Sequence, residues 1–458
     1  MINSFEKIFL ALLCVNFAAL ANSKPNVILI VSDDQGYADV SYNPEHDDYI
    51  NTPHTDALAK SGIIFHRGYT SGSVCSTTRS GLMTGRYQQR YGIYTAGEGG
   101  NGTDLSVKFI PNHLKDAGYK SMAFGKWHLG HEMKYHPLHR GFDDFYGFMG
   151  RGARDFFRLE KDYDGKFGGP IFRGLEAIDD KGYLTTRITE ETVKFIEENK
   201  DQPFFAYVAY NAVHAPAQAP EEDVKPVSGS ETRDILVGML KHLDHGVGEI
   251  VKTLKKHDIY ENTIIFYLSD NGGAGAMDAD NTPLRGLKHD IYDGGIRVPF
   301  LMSWPAQIKA GQETQSPIIS LDILPTILDA AQLPALSDID GESILPVVKG
   351  KKDNLDRPFF WNHGDGKAGI QLNNWKLVFY KGKSELYKID DDISETKDLI
   401  KAHPEKAAEL TKIYEKWLNE MAPPNASKTI VRWEGSTDTD KKKKKNPKKG
   451  KNKKEKKS

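Results

Sequence analysis

The chain reads as an α/β protein built on a large mixed, mostly parallel sheet flanked by helices, with a smaller C-terminal α+β domain after it. Three observations predict this. Apolar runs at 25–32, 203–210 and 263–269, the first continuous in β-branched residues, have the length and continuity of strands covered on both faces. Amphipathic helical stretches alternate with them, as in a doubly wound sheet. Each run also leads into a polar cluster, and open α/β sheets assemble their sites at such strand ends.

Taken in order, the 458 residues open with Lys7, an apolar run from Ile8 to Leu20 and the small-residue stretch Ala19-Leu20-Ala21, the pattern of an export signal over residues 1–21. That run is too short to span a bilayer as a stable helix, and no later stretch is long enough. A secreted or periplasmic protein without a transmembrane segment is therefore expected. Of the two cysteines, Cys14 falls inside the signal. Cys75 is then left without a partner for an internal disulfide, and is either an inert buried thiol or a reactive one.

The first apolar run ends in Asp33-Asp34-Gln35-Gly36. Beyond it the pattern predicts a helix over 52–61, extended chain over 62–69 and a helix beginning at Cys75, which places Arg79 on the same face one turn later. A helix over 109–117 and a strand over 119–124 precede the loop Gly125-Lys126-Trp127-His128-Leu129-Gly130. Residues 131–180 are rich in Gly, Arg and aromatics with little periodicity, and are expected to form a long surface insertion. A helix over 185–199 and the second apolar run lead to His214; a long amphipathic helix over 233–257 and the third run lead to Asp270-Asn271-Gly272-Gly273. Loops carrying Lys288 and Gly294-Gly295-Ile296-Arg297 follow, then a helical pattern over 318–331. A polar stretch at 349–356 is expected to link a catalytic domain, 22–350, to a small domain, 351–424, with strands over 375–380 and 384–389 and a helix over 404–421.

Residues 425–458 read as a disordered tail. From Lys441 onward it holds twelve Lys and one Glu, and this +11 leaves −13 for the remainder of a chain whose formal net charge is −2. Such a tail is either a solubilising appendage or an anchor for anionic polymers or surfaces. It lacks the aromatic interleaving or binding module of a nucleic-acid partner, and none is expected.

The strand-end groups form one constellation. Asp33, Asp34, Asp270 and Asn271 offer hard oxygen ligands suited to calcium or magnesium rather than zinc. Lys126, Lys288 and Arg79 offer positive charge, and His128 and His214 can move protons. Any one of these carboxylates could be a turn or helix cap, and either histidine a structural hydrogen-bonding group. Converging cations and a metal would instead bind a tetrahedral oxyanion and neutralise charge developing on it.

Asp33-Asp34-Gln35-Gly36, Cys75-x-x-x-Arg79 through Thr84-Gly85-Arg86, Gly125-Lys126-Trp127-His128-Leu129-Gly130, Asp270-Asn271-Gly272-Gly273 and Gly294-Gly295-Ile296-Arg297-Val298-Pro299, in that order, resemble the formylglycine-dependent sulfatases of the alkaline phosphatase superfamily. The resemblance extends from about Pro25 to Met421. It implies that a maturation enzyme oxidises Cys75 to formylglycine, whose hydrated gem-diol attacks the sulfur of a sulfate ester. It implies calcium on Asp33, Asp34, Asp270, Asn271 and the modified Cys75, with magnesium as the alternative. Arg79 and Lys126 would hold the gem-diol, Lys288 and His214 would bind sulfate and assist the departing alcohol, and His128 would help expel sulfate. Thr77 departs from the pattern, since the family usually has Pro or Ala there. Export, an Arg- and aromatic-rich insertion and the basic tail suit a sulfated carbohydrate or polysaccharide fragment, with Arg151, Arg154, His139 and His363 as candidates to read it. Two rival readings are a phosphoryl or phosphonate monoester hydrolase of the same superfamily and a non-catalytic binder of sulfated glycans.

Overall fold

The computed structural model describes residues 24–150 and 152–425. The expected signal segment, Arg151 and all but the first residue of the expected tail lie outside the described residues. No helix among the described residues is long and apolar enough to cross a membrane.

The first half of the chain supplies β1 (Asn26–Ser32), β2 (Ile63–Phe65), the two-residue β3 (Gly68–Tyr69), β4 (Lys120–Lys126), β5 (Asp144–Phe148), the hairpin β6 (Ile171–Arg173) and β7 (Glu176–Ile178), and β8 (Phe204–Ala209). Then come β9 (Thr263–Ser269), β10 (Phe300–Ser303), β11 (Gln312–Thr314) and β12 (Ile318–Ile319), which pairs with β3. A ten-stranded sheet runs in the order β11-β2-β10-β9-β1-β8-β4-β5-β6-β7. Its centre, β9-β1-β8-β4-β5, is parallel throughout, and β10 and β6 run against it.

Alternation along β1 explains the layers. Val27, Leu29 and Val31 face one core together with Leu82, Met83, Ile110, Ile323 and Ile327. Ile28 and Ile30 face the other, with residues of the helices Pro53–Lys60, Leu184–Asn199 and Glu231–Lys256. Because both faces are covered, the strand needs no polar alternation, and it has none.

The structure corrects three expectations about elements. The stretch 131–180 is not wholly a surface insertion: Asp144–Phe148 is a buried strand of the main sheet, paired in parallel with β4. The pattern over 318–331 begins as strand β12 and a 3-10 turn, and becomes α-helical only over Ile323–Ala330. The C-terminal unit is larger than two strands. β13 (Phe359–Gly364), β14 (Lys367–Leu372), β15 (Trp375–Tyr380) and β16 (Lys383–Lys388) form an antiparallel meander, and the helix Pro404–Leu418 packs on it.

Candidate active site

The five parallel strands bring their C-terminal ends to one edge, and the polar clusters meet there. Asp33 and Asp34 follow β1 directly, Asp270 and Asn271 follow β9, Lys126 closes β4, and His214 lies in the loop after β8. Cys75 is the first residue of the helix Cys75–Thr84, which Gly85 ends in the left-handed conformation, φ 64°. Every residue of that helix is buried.

Arg79 is pinned on three sides. Its Nε donates to Asp270 Oδ2 at 2.8 Å, and its Nη1 to the Lys126 carbonyl at 3.1 Å and the Tyr207 hydroxyl at 3.2 Å. Lys126 Nζ donates to Asp33 Oδ2 at 2.6 Å, and Lys288 Nζ to Asp34 Oδ2 at 2.7 Å. Lys288 Nζ also stands 3.9 Å from Cys75 Sγ. Asn271 Nδ2 donates to Asp34 Oδ1 at 2.8 Å, which turns the Asn271 amide oxygen elsewhere. Tyr207 was invisible to sequence reasoning, being one apolar-looking position within a buried strand.

Electrostatics follow from this packing. Burial disfavours the Asp34 carboxylate, but Lys288, His214 and Lys126 more than offset it and hold the group well below the usual carboxylate range. Burial, reinforced by the charge of Asp33, pushes Asp270 up. Burial pushes the Cys75 thiol up against the pull of Lys126 and Lys288, so the thiol is not primed as a thiolate. Burial, then Lys126 and Arg79, push His128 well down, which holds the imidazole neutral. Its backbone is left-handed, φ 55°, as is that of Asp34, φ 61°. Such strain persists where surrounding structure fixes it, commonly at working sites. His214 Nδ1 donates to the Ala215 carbonyl at 2.7 Å, so its other nitrogen, 3.5 Å from Asp34 Oδ2, is the one presented to the cluster.

The donor set fits a divalent cation. Ligand atoms of Asp33, Asp34 and Asp270 lie within 4.8 Å of one another, as do those of Asp33, Cys75 and His214. Asp33 Oδ1 and Asn271 Oδ1 are buried without a hydrogen-bond partner among the described residues. Orphaned buried oxygens are costly, and a cation would satisfy both.

A model of the sulfatase family matches residues 25–333. The chain belongs to the sulfatase family. A second family model, described as N-sulphoglucosamine sulphohydrolase, C-terminal, matches residues 287–423. This sulfatase is 32% identical over 390 residues to the N-acetylgalactosamine-6-sulfatase of Mus musculus, covering 78% of this chain and 72% of the relative. It is 28% identical to the uncharacterized sulfatase YdeN of Escherichia coli strain K12, covering 88% and 86%. Among solved structures, Ps i-CgsB in complex with k-i-k-neocarrahexaose superimposes with TM-score 0.83 at 34% identity, over 88% of this chain and 94% of that one. A phosphonate monoester hydrolase of Agrobacterium radiobacter shares the fold, with TM-score 0.64 at 20% identity over 86% and 95%. The sulfatase is thus an enzyme acting on sulfate esters, of a family that generally uses formylglycine and a divalent metal.

Of the residues expected to read the substrate, His363 lies close to the cluster. His363, on β13, places Nδ1 3.5 Å from the Ser73 hydroxyl, two residues before Cys75, and its ring meets that of His289 edge-on at 5.5 Å. Arg154 follows Gly152, where a Cβ would stand 2.6 Å from His128 Cε1. The Arg154 side chain is buried, however, with Nη1 donating to the Phe167 carbonyl at 3.3 Å and the guanidinium over Tyr163. His139 is not brought to the cluster. It sits exposed on the 3-10 turn Pro137–Arg140 that leads into the start of β5, whereas the site gathers at the opposite end of the strands.

Proposed function

We propose that the protein is an exported carbohydrate sulfatase that works through a formylglycine made from Cys75 and a calcium or magnesium ion held by Asp33, Asp34, Asp270 and Asn271. The observation that carries this reading is the pair of orphaned oxygens, Asp33 Oδ1 and Asn271 Oδ1, beside Cys75, the buried cations Arg79 and Lys126, and the part-buried Lys288. The cation would neutralise charge on the sulfate oxygens, and the converted Cys75 would supply two hydroxyls, one to attack sulfur and one to expel sulfate.

The chain's own groups have separable parts in this. Arg79 and Lys126 hold the nucleophile's position through Asp270 and Asp33. Lys288, poised between Asp34 and Cys75, grips a sulfate oxygen. His214 presents Nε2 to the departing alcohol oxygen; it can hand over a proton there only from its charged form, which burial disfavours and Asp33 and Asp34 partly restore. His128, neutral in its buried setting, takes the proton whose loss releases sulfate. A sulfated carbohydrate as substrate draws support from the N-acetylgalactosamine-6-sulfatase relatives and from the structure holding an oligosaccharide. His363 and Arg154, with Arg151, are our candidates to bind it. We further propose the division into a catalytic domain, 22–350, and a small C-terminal domain, 351–424.

The test is mass spectrometry on natively expressed protein joined to turnover. The Cys75 peptide should be about 18 Da lighter than the thiol form, the change from CH2-SH to CHO. Hydrolysis of an aryl sulfate should exceed that of the matching aryl phosphate. Active protein carrying only unmodified Cys75, or a preference for the phosphate, would refute the proposal.

A further inference from the structure

Lys288 reaches the site from a loop, 285–297, that lies between β9 and β10 and contains no strand. Two anchors in the C-terminal unit hold it. At one end the Arg285 guanidinium lies 3.8 Å from the Tyr292 ring centre, and its Nη1 donates to the Tyr387 hydroxyl at 2.8 Å and the Glu395 carbonyl at 2.9 Å. At the other end Lys376 Nζ donates to Asp293 Oδ1 at 2.5 Å and lies 2.8 Å from Glu395 Oε1, while the Asp293 N–H donates to Glu395 Oε2 at 2.6 Å. Asp293, Lys376 and Glu395 are all fully buried. Glu395 makes these contacts from a left-handed backbone, φ 49°.

The loop clamped this way touches the site twice. The Lys288 N–H donates to the Gly273 carbonyl at 3.1 Å, and the Gly272 N–H to the Gly295 carbonyl at 3.0 Å. The second contact backs the Asp270–Asn271 turn so closely that a Cβ on Gly272 would lie 1.8 Å from the Gly294 oxygen. Cohesion alone does not account for three buried ionisable groups here. Replacing a buried ion pair by packed apolar side chains is often neutral or stabilising, because burial costs the charges their hydration. What the charges add is direction: a carboxylate bridging an ammonium and a backbone N–H admits one geometry where an apolar contact admits several.

We propose that Glu395 and Lys376, with Asp293 and Arg285, are positioning residues that set the reach of Lys288 into the sulfate site, which makes the C-terminal unit a working part of that site. This rests on the reading of Lys288 as a sulfate-binding group. Misplacing a positioned group by about 1 Å can cost on the order of a hundredfold in rate, so the anchor need not touch substrate to matter.

The experiment is a double-mutant cycle on the full-length matured enzyme with a fluorogenic aryl sulfate. Glu395→Gln should lower kcat about tenfold and leave KM within about twofold. In a Lys288→Ala background the same change should cost less than about twofold, because the group it positions is gone. An equal loss in both backgrounds, or unchanged kcat in Glu395→Gln, would overturn the proposal. Arg285→Gln gives the same test at the other anchor, where the side chain is 39% exposed. A Lys288→Ala enzyme as active as the parent would instead remove the role of Lys288 itself, and the coupling with it.

Discussion

Asp33 and Lys126 show how finely single groups are balanced in this site. The carboxylate and ammonium are both fully buried, 2.6 Å apart, so each is tolerable only because the other is present. In chelator-treated protein, Asp33→Asn should therefore cost about 3 kcal/mol of unfolding free energy, and adding Lys126→Met should recover much of it. Urea unfolding of the two variants checks this; additive losses would contradict it. Most of the cluster was legible at this scale. Asp33, Asp34, Asp270, Asn271, Lys126 and His214 lie where a continuous apolar run meets polar sequence, and a parallel sheet brings such ends to one edge. His289 and Tyr207 were not, because an isolated imidazole or phenol has no local pattern. Their relevance comes only from what the fold sets beside them, His363 for the one and Arg79 for the other.

At the scale of elements, β1, β8 and β9 could be read because burial on both faces leaves an unbroken apolar run. β5 could not. Asp-Phe-Tyr-Gly-Phe is short, contains a glycine, and lies in a stretch whose aromatics pack without period. The turn before it carries a pH-sensitive group. His136 is fully buried, its ring edge-on to Phe145 at 5.1 Å and Phe172 at 5.6 Å, and Nδ1 accepts from the Leu138 N–H at 3.3 Å. Burial, with a smaller contribution from His139, pushes it down to about 4 from an ordinary 6.5. The folded state thus favours neutral His136. Its contribution to stability is present in full above pH 6.5 and is lost as pH falls through the window towards 4. His136→Asn keeps an acceptor and removes the titration. Thermal midpoints of the variant should fall less steeply than those of the parent between pH 6.5 and 4, and parallel curves would refute the assignment.

Across the whole molecule, the C-terminal meander shares a core with β3 and the loops beside the site. Tyr69, Tyr87, Ile291 and Ile296 pack with Phe359, Trp361 and Trp417 in one cluster. Trp417 stacks on Phe360 at 4.9 Å and meets Tyr87 edge-on at 5.3 Å. Calorimetry should accordingly show one cooperative transition, and Trp417→Ala should destabilise it by about 3–5 kcal/mol without splitting it. Two separable transitions would show the units to be independent.

The burial of the helix at Cys75 also fixes an order of events. Cys75, Ser76, Thr77, Thr78 and Arg79 are each at most 3% exposed, and the Thr77 hydroxyl is spent on the Val74 carbonyl at 2.6 Å. A modifying enzyme that must hold this segment in its own cleft has nothing to grasp once the chain has closed over it. Conversion, as proposed, then competes with folding in time, and a chain that folds first is stranded as a stable thiol form. Supplied to the folded thiol form, a maturation enzyme should leave the Cys75 peptide mass unchanged. Supplied to the same protein held unfolded, it should remove about 18 Da.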